Sequence, residues 1–202
     1  MFNSFKLFLT QIVWAILVGL GLFFSSSDAT AQNDNPQITQ FVDSLETLID
    51  PTIVYDPTYR RLDNMCDDVP PHVGVCSDVI IRAFHKIDIC LAEYVYAYRV
   101  SKGLPTDRHI DHRRVRNLGP LFADEGWEIP AKTSRLNANY YQPGDIIWWK
   151  ISSVSGELDH IGIVTKNGKV LHNIGQGQVA DVTPFAYRIH KVYRPQPYGC
   201  SE

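Results

Sequence analysis

HVGVCSDVIIRAF, residues 72–84, decides how the rest of the chain is read. In it and just beyond, Val75, Val79, Ile80, Ala83, Phe84 and Ile87 recur at three- and four-residue intervals, which is one apolar face of a helix. Cys76 then falls in the first turn. There the free N–H groups and the positive end of the helix dipole favour a thiolate over a thiol, and the thiolate is the nucleophile. The alternative for the same residue is a small buried apolar side chain, and a base elsewhere in the chain has to decide between the two.

The surrounding chain is ordinary in bulk. Its 202 residues are 45% hydrophobic, 11% aromatic and 20% charged, with a formal charge of −3, which suits a single globular domain over residues 32–202. Near-neutral charge without a Lys/Arg run leaves no electrostatic footprint for nucleic acid. Residues 1–31 read as a secretory leader: an apolar run from Leu7 to Phe24, interrupted at Thr10 and Gln11, then a small-residue site Ala29-Thr30-Ala31. Cleavage there makes Gln32 the first mature residue of an exported protein; an uncleaved membrane anchor is the competing expectation. Export would permit disulfides among the four cysteines. If Cys76 is free, Cys66, Cys90 and Cys200 cannot all pair. A Cys90–Cys200 bond would fasten the tail to the body, and the pairing stays open.

Upstream of residue 72, the stripe Ile38, Phe41, Val42, Leu45, Leu48 and Ile49 predicts a helix that ends before Pro51. Ile53-Val54-Tyr55 is a short extended piece, and Asp56-Pro57 and Val69-Pro70-Pro71 make the approach to Cys76 a stiff loop. Downstream, Leu91–Val100 reads as a second helix closed near Gly103, and residues 108–117 (RHIDHRRVRN) as a polar loop. A short helix over Leu118–Glu125 stops at Gly126. The period then becomes strand-like at Ile146–Lys150, Leu158–Lys166, Lys169–Ile174 and Tyr187–Arg194. Helices first and a largely antiparallel sheet second is α+β segregation.

Two histidines lie on the hairpin around Asn167-Gly168, and the turn decides whether they share a face. A two-residue loop turns His172 away from His160 and offers Asn173 instead. A three-residue loop, Lys166-Asn167-Gly168 with glycine left-handed, sets His172 opposite Gly162 and makes the two histidines diagonal neighbours. Such neighbours are about 7–8 Å apart at the backbone, within reach of imidazole rings. Cysteine at a helix start, histidine on a strand and a polar group on the next strand are the plan of Cys–His catalysis, in which the third group orients the base.

The ordered set GVCSDV (74–79), QPGDIIWW (142–149) and HIGIV…KVLHNIG (160–175) resembles the NlpC-type branch of the papain-like cysteine peptidases. That resemblance implies a papain-like fold, with Cys76 as nucleophile, His160 as base and His172 as orienter. YDPTY (55–59), DDVPPHVGVCSDVIIRAF (67–84) and IDHRRVRNL (110–118) extend a closer similarity, to the bacterial family called domain of unknown function 1287, over nearly the whole mature chain. Asp78 departs from the NlpC pattern, where a small residue is usual; its carboxylate would raise the thiol pKa or bind a substrate amine. The Asp111-His112-Arg113-Arg114 loop is likewise absent from that plan. Its arginine forks suit carboxylates. Asp78, Asp111, His112, Arg113, Arg114 and Asn173 are the candidate substrate-binding residues.

The expected activity is that of an exported cysteine hydrolase cutting amide bonds in cell-wall peptides, a monomer without cofactor, in contact with membrane only through its leader. Two other classes compete. His109, Asp111 and His112, or His160 and His172 with a carboxylate, offer zinc-type ligands for a metal-dependent hydrolase, though His-x-Asp-His lacks helical spacing. A wall-peptide-binding module on the same fold would use Tyr55, Tyr59, Trp148 and Trp149 as a groove, although aromatic strand residues more often form core.

Overall fold

The computed structural model describes residues 35–196, so the expected leader, the anchor alternative and Cys200 lie outside the described residues. The first helix, α1 (Pro36–Leu45), begins where Asn35 Oδ1 accepts the Gln37 N–H at 2.9 Å, with Pro36 at a position that needs no donor. It continues as a 3₁₀ turn, Glu46–Leu48, and its stripe packs inward through Phe41, Val42, Leu45 and Leu48. No helix among the described residues is long and apolar enough to cross a membrane.

Helix α2 (Cys76–His85) lies at the centre. The residues from Cys76 to Phe84 are all buried, not only the predicted stripe. On the apolar face Val79, Ile80, Ala83 and Phe84 pack among Phe41, Leu118 and Phe122, and burying each larger side chain is worth about 1.5–3 kcal/mol. Its polar face is buried by bonding. Ser77 Oγ donates to the Arg113 carbonyl at 2.6 Å, and Arg82 binds the Asp68 carboxylate at 2.6 Å and the Val73 carbonyl at 2.8 Å. Two-residue strands β1 (Val54–Tyr55) and β2 (Val73–Gly74) pair in parallel just ahead of α2 and fix the ends of the intervening loop.

Two more helices complete that side: α3 (Leu91–Ser101) and α4 (Val115–Asp124). The segment read as a solvated loop, residues 108–117, is instead a 3₁₀ turn at Asp111–Arg113 followed by the start of α4, with Asp111, His112, Arg113 and Asn117 buried. Helix α4 also starts earlier than its apolar pattern suggests, and Asn117 Nδ2 in its first turn donates to the Asp111 carbonyl at 2.9 Å, tying it to the preceding 3₁₀ turn. Gly126 has φ +74°, the left-handed exit expected there.

The second half forms an antiparallel sheet of β3 (Glu128–Ile129), β4 (Ile146–Ser153), β5 (Gly156–Val164), β6 (Val170–Asn173), β7 (Gln178–Val182) and β8 (Arg188–Tyr193), in the order β3-β8-β4-β5-β6-β7. Side chains alternate across it. Ile146, Trp148, Ile161, Ile163 and Leu171 meet the helices, while Ile147, Trp149, Val164, Val170 and Ile189 form a second core on the other face. The β5–β6 register is that of the three-residue loop: Ile163 pairs with Leu171, Val164 with Val170, the Thr165 N–H donates to the Lys169 carbonyl at 2.7 Å, and Gly168 has φ +74°.

Candidate active site

Three elements converge on one cavity of about 500 Å³, whose lining includes Cys76, His160, Tyr55, Tyr59, Arg113 and Arg114. Helix α2 brings Cys76 to it from within the core. The β5–β6 ladder ends at Ile163–Leu171, which leaves the Ile161 N–H without a β6 partner and able to favour the Cys76 thiolate. The first-turn N–H groups of Ser77 and Cys76 favour the thiolate likewise.

Burial outweighs these donors. Cys76 is 5% exposed, and burial, aided by the Asp78 charge, pushes its thiol up to about 11. The helix terminus therefore does not produce the resting thiolate that its position predicts. Burial first, and the adjacent His172 ring second, push His160 down to about 3. The resting pair is a neutral thiol and a neutral imidazole. Burial likewise raises the Tyr55 phenol, which lines the cavity with Cys76.

His160 is held on three sides. Trp149 stacks on it with ring centres 5.5 Å apart and planes 12° apart, Tyr187 meets it edge-on at 6.2 Å, and its Nε2 lies 2.9 Å from His172 Nδ1. Nδ1 is then the ring nitrogen left for the cavity. Gly162 makes room for the pair, since a Cβ there would come within 2.6 Å of Val170 Cγ1 and 2.8 Å of the Leu171 carbonyl. His172 is buried behind His160, and its own Nε2 lies 2.9 Å from Asp181 Oδ1 on β7. The register thus selects His172 over Asn173 as the partner of His160.

Asp181 was not legible as a site residue. The only local signal is a carboxylate inside a short Gln-Val-Ala-Asp-Val strand, and no periodicity connects it with residue 172. Trp148 and Trp149 belong to the two cores and not to the groove, whereas Tyr55 and Tyr59 do line it.

Three of the residues expected to bind substrate have their polar atoms engaged elsewhere, and a fourth, His112, is buried. Asp78, 1% exposed, accepts the Val75 N–H at 2.7 Å, which caps α2, and takes the Arg113 fork at 2.8 and 2.9 Å. Asp111 accepts the Asp107 N–H at 2.6 Å and pairs with Arg99 at 3.0 Å. His112 is 3% exposed and burial pushes it down to about 4. Asn173 is fully buried, donating to the Gly74 carbonyl at 3.4 Å and accepting the Gly175 N–H at 3.0 Å. Asp78, Asp111 and Asn173 are thus buried polar groups supplied with partners, as burial demands. The same commitments disperse the His-x-Asp-His pattern, because His109 Nδ1 accepts the Leu62 N–H at 3.1 Å while Asp111 binds the Asp107 N–H and Arg99.

Arg113 and Arg114 do border the cavity, in different states. Arg113 is paired with Asp78, while the Arg114 side chain is 51% exposed with Asp111 3.5 Å away. Arg116 lines the same wall and is exposed. The acids there are already matched: Asp159 with Lys150 at 2.6 Å and with the Trp148 indole at 2.8 Å, and Glu157 with Arg188. Cys66 and Cys90 form a disulfide and Cys76 is a free thiol, which resolves the open pairing and replaces Cys90–Cys200. Among the described residues, the only cluster with metal-ligand spacing is Cys66, Cys90 and Glu93, and its two sulfurs are in that disulfide.

An α+β domain with these motifs in this order defines a family, and residues 42–195 match the one described as a domain of unknown function, DUF1287; the chain belongs to it. A relative within reach is the uncharacterized protein YijF of Escherichia coli (strain K12), 36% identical over 170 residues that cover 75% of this chain and 78% of the relative. No solved structure matches the chain.

Proposed function

We propose that the protein is a papain-like, NlpC-type cysteine hydrolase that cuts amide bonds outside the cytoplasm. The observation that carries this is the cavity shared by Cys76, at the start of a buried helix, and His160, whose far nitrogen is held by His172. The Cys76 sulfur attacks the amide carbonyl carbon as its proton passes to His160 Nδ1. The first-turn N–H groups stabilise the developing oxyanion. The C–N bond then breaks, the departing amine takes the proton from His160, and a thioester remains on Cys76. Water, giving its proton to His160, cleaves the thioester to a carboxylate and restores the thiol. Because the resting pair is neutral, proton transfer accompanies attack and does not precede it.

Arg114 and Arg116, cations beside matched acids, favour a substrate that carries a carboxylate near the scissile bond, as cell-wall peptides do. The disulfide and the apolar leader support an exported protein. Incubating the purified protein with a digest of wall peptides and following the products by mass spectrometry tests the activity. The wild type is expected to add water across an amide bond, and Cys76→Ala and His160→Ala to add none while keeping their circular dichroism. Turnover by Cys76→Ala removes the proposed nucleophile. Binding of the peptides without turnover by the wild type would make the protein a binding module.

A further inference from the structure

The strand that carries Asp181 is irregular at that residue. Along β6 and β7, Asn173 pairs with Gln178, His172 with Val179 and Leu171 with Ala180, but Val170 pairs with Val182. Asp181 is the extra residue of a β-bulge, a device that re-aims a side chain and is common beside active sites. Its carboxylate reaches back to His172 Nε2 at 2.9 Å, although its side chain is 47% exposed and could face solvent.

We propose that Asp181 is a positioning residue that sets the direction of every proton along a relay Cys76–His160–His172–Asp181, an inference that rests on the hydrolase reading of Cys76 and His160. A carboxylate can only accept, so His172 must carry its proton on Nε2. A ring that carries one proton, on Nε2, then has a bare Nδ1. That atom can only accept, so His160 carries its proton on Nε2, 2.9 Å away. His160 Nδ1 is thereby left with its lone pair, at the one ring nitrogen free to take the thiol proton. The relay also answers the cost of that transfer. An imidazolium in a site that pushes His160 down to about 3 needs a counter-charge, and Asp181 supplies it through His172. Without Asp181, His172 can hold its proton on Nδ1, donate to His160 Nε2 and force the His160 proton onto Nδ1, the wrong place for a base.

The tautomers can be read directly. In protein with ¹⁵N-labelled histidine, long-range ¹H–¹⁵N correlation spectra at neutral pH distinguish protonated from bare ring nitrogens. The wild type is expected to show both His160 and His172 protonated at Nε2 and bare at Nδ1. Asp181→Ala is expected to populate the opposite tautomer in both rings and to slow iodoacetamide alkylation of Cys76 by about 10–100-fold, with the melting temperature nearly unchanged because the carboxylate is half exposed. Asp181→Asn, which keeps the shape without the charge, should fall between, and Asp181→Glu should recover part of the rate. His172 protonated at Nδ1 in the wild type, or rings that ignore the loss of Asp181, would overturn the relay. The spectra need no substrate: tautomers that respond to Asp181 in a protein that cleaves no peptide would uphold the relay and end the hydrolase reading. Cys76-dependent cleavage with unresponsive tautomers would do the reverse.

Discussion

Asp78 and Arg113 show how far a residue's chemistry can be redirected by its surroundings. Both suit ligand binding by type, yet each is nearly sealed from water and they bind one another through two hydrogen bonds. Removing one partner strands a buried charge, so Asp78→Ala should cost about 3–5 kcal/mol in urea unfolding. A stable Asp78→Ala that only weakened peptide binding would return that carboxylate to substrate recognition. Burial acts on the thiol in the same way. With Cys76 pushed up to about 11, its alkylation rate should keep climbing through pH 9–10, and a plateau near pH 7 would show that the dipole wins. The buried histidines tie stability to pH. His112 is pushed down to about 4 and His160 to about 3, below the unfolded value near 6.5, so between about pH 6.5 and 4 the unfolded chain binds protons that the folded one refuses. Stability therefore falls as pH falls through that window, by about 1.4 kcal/mol per pH unit for each such histidine, and His112→Gln should flatten the slope by one proton.

At the scale of elements, the β5–β6 hairpin does the assembling. Side chains alternate with a period of two, so one residue more or less in the turn swaps the faces of β6. Deleting Lys166 should turn His172 onto the helix side of the sheet and Asn173 toward His160. The His–His resonances should then disappear from the spectra while the sheet signature in circular dichroism persists. Gly162→Ala attacks the same pair from the middle, because the new methyl meets Val170 and the Leu171 carbonyl well inside contact distance. Both variants, like His172→Ala, should slow Cys76 alkylation. Asn173→Ala, which unties the Gly74 carbonyl, should lower stability more than rate. If Asn173→Ala slows alkylation more than His172→Ala, the assignment of the orienting group is reversed.

For the whole molecule, the end of β1 and the loop that runs from it to β2 form one wall of the cavity through Tyr55, Pro57 and Tyr59. Several ties hold it. The parallel β1–β2 pair secures its ends, Arg82–Asp68 its middle, and the Cys66–Cys90 disulfide fastens it to the start of α3. The bond spans a sequence separation of 24, and closing a loop of that size stabilises by about 2–4 kcal/mol through the unfolded chain. Cys66→Ala with Cys90→Ala should lose that much in unfolding experiments, whereas a neutral result would mean that the other ties suffice.

Local patterns in the sequence determined the elements that contain their own reasons. The stripe from Val75 to Ile87 specified a helix with Cys76 at its start, the left-handed turn at Gly126 closed another, and the hairpin around Asn167-Gly168 was reduced to two registers. These follow from backbone periodicity and turn chemistry, which act over a few residues. Tertiary packing decided the rest. It chose between the two registers, buried the polar face of α2 against residues 108–117, paired Cys66 with Cys90, and brought a bulged Asp181 to His172. The reason is that a buried polar atom takes whichever partner the fold delivers to it. Ser77 and Arg113, or Gly74 and Asn173, become neighbours only once helices and sheet have closed on each other.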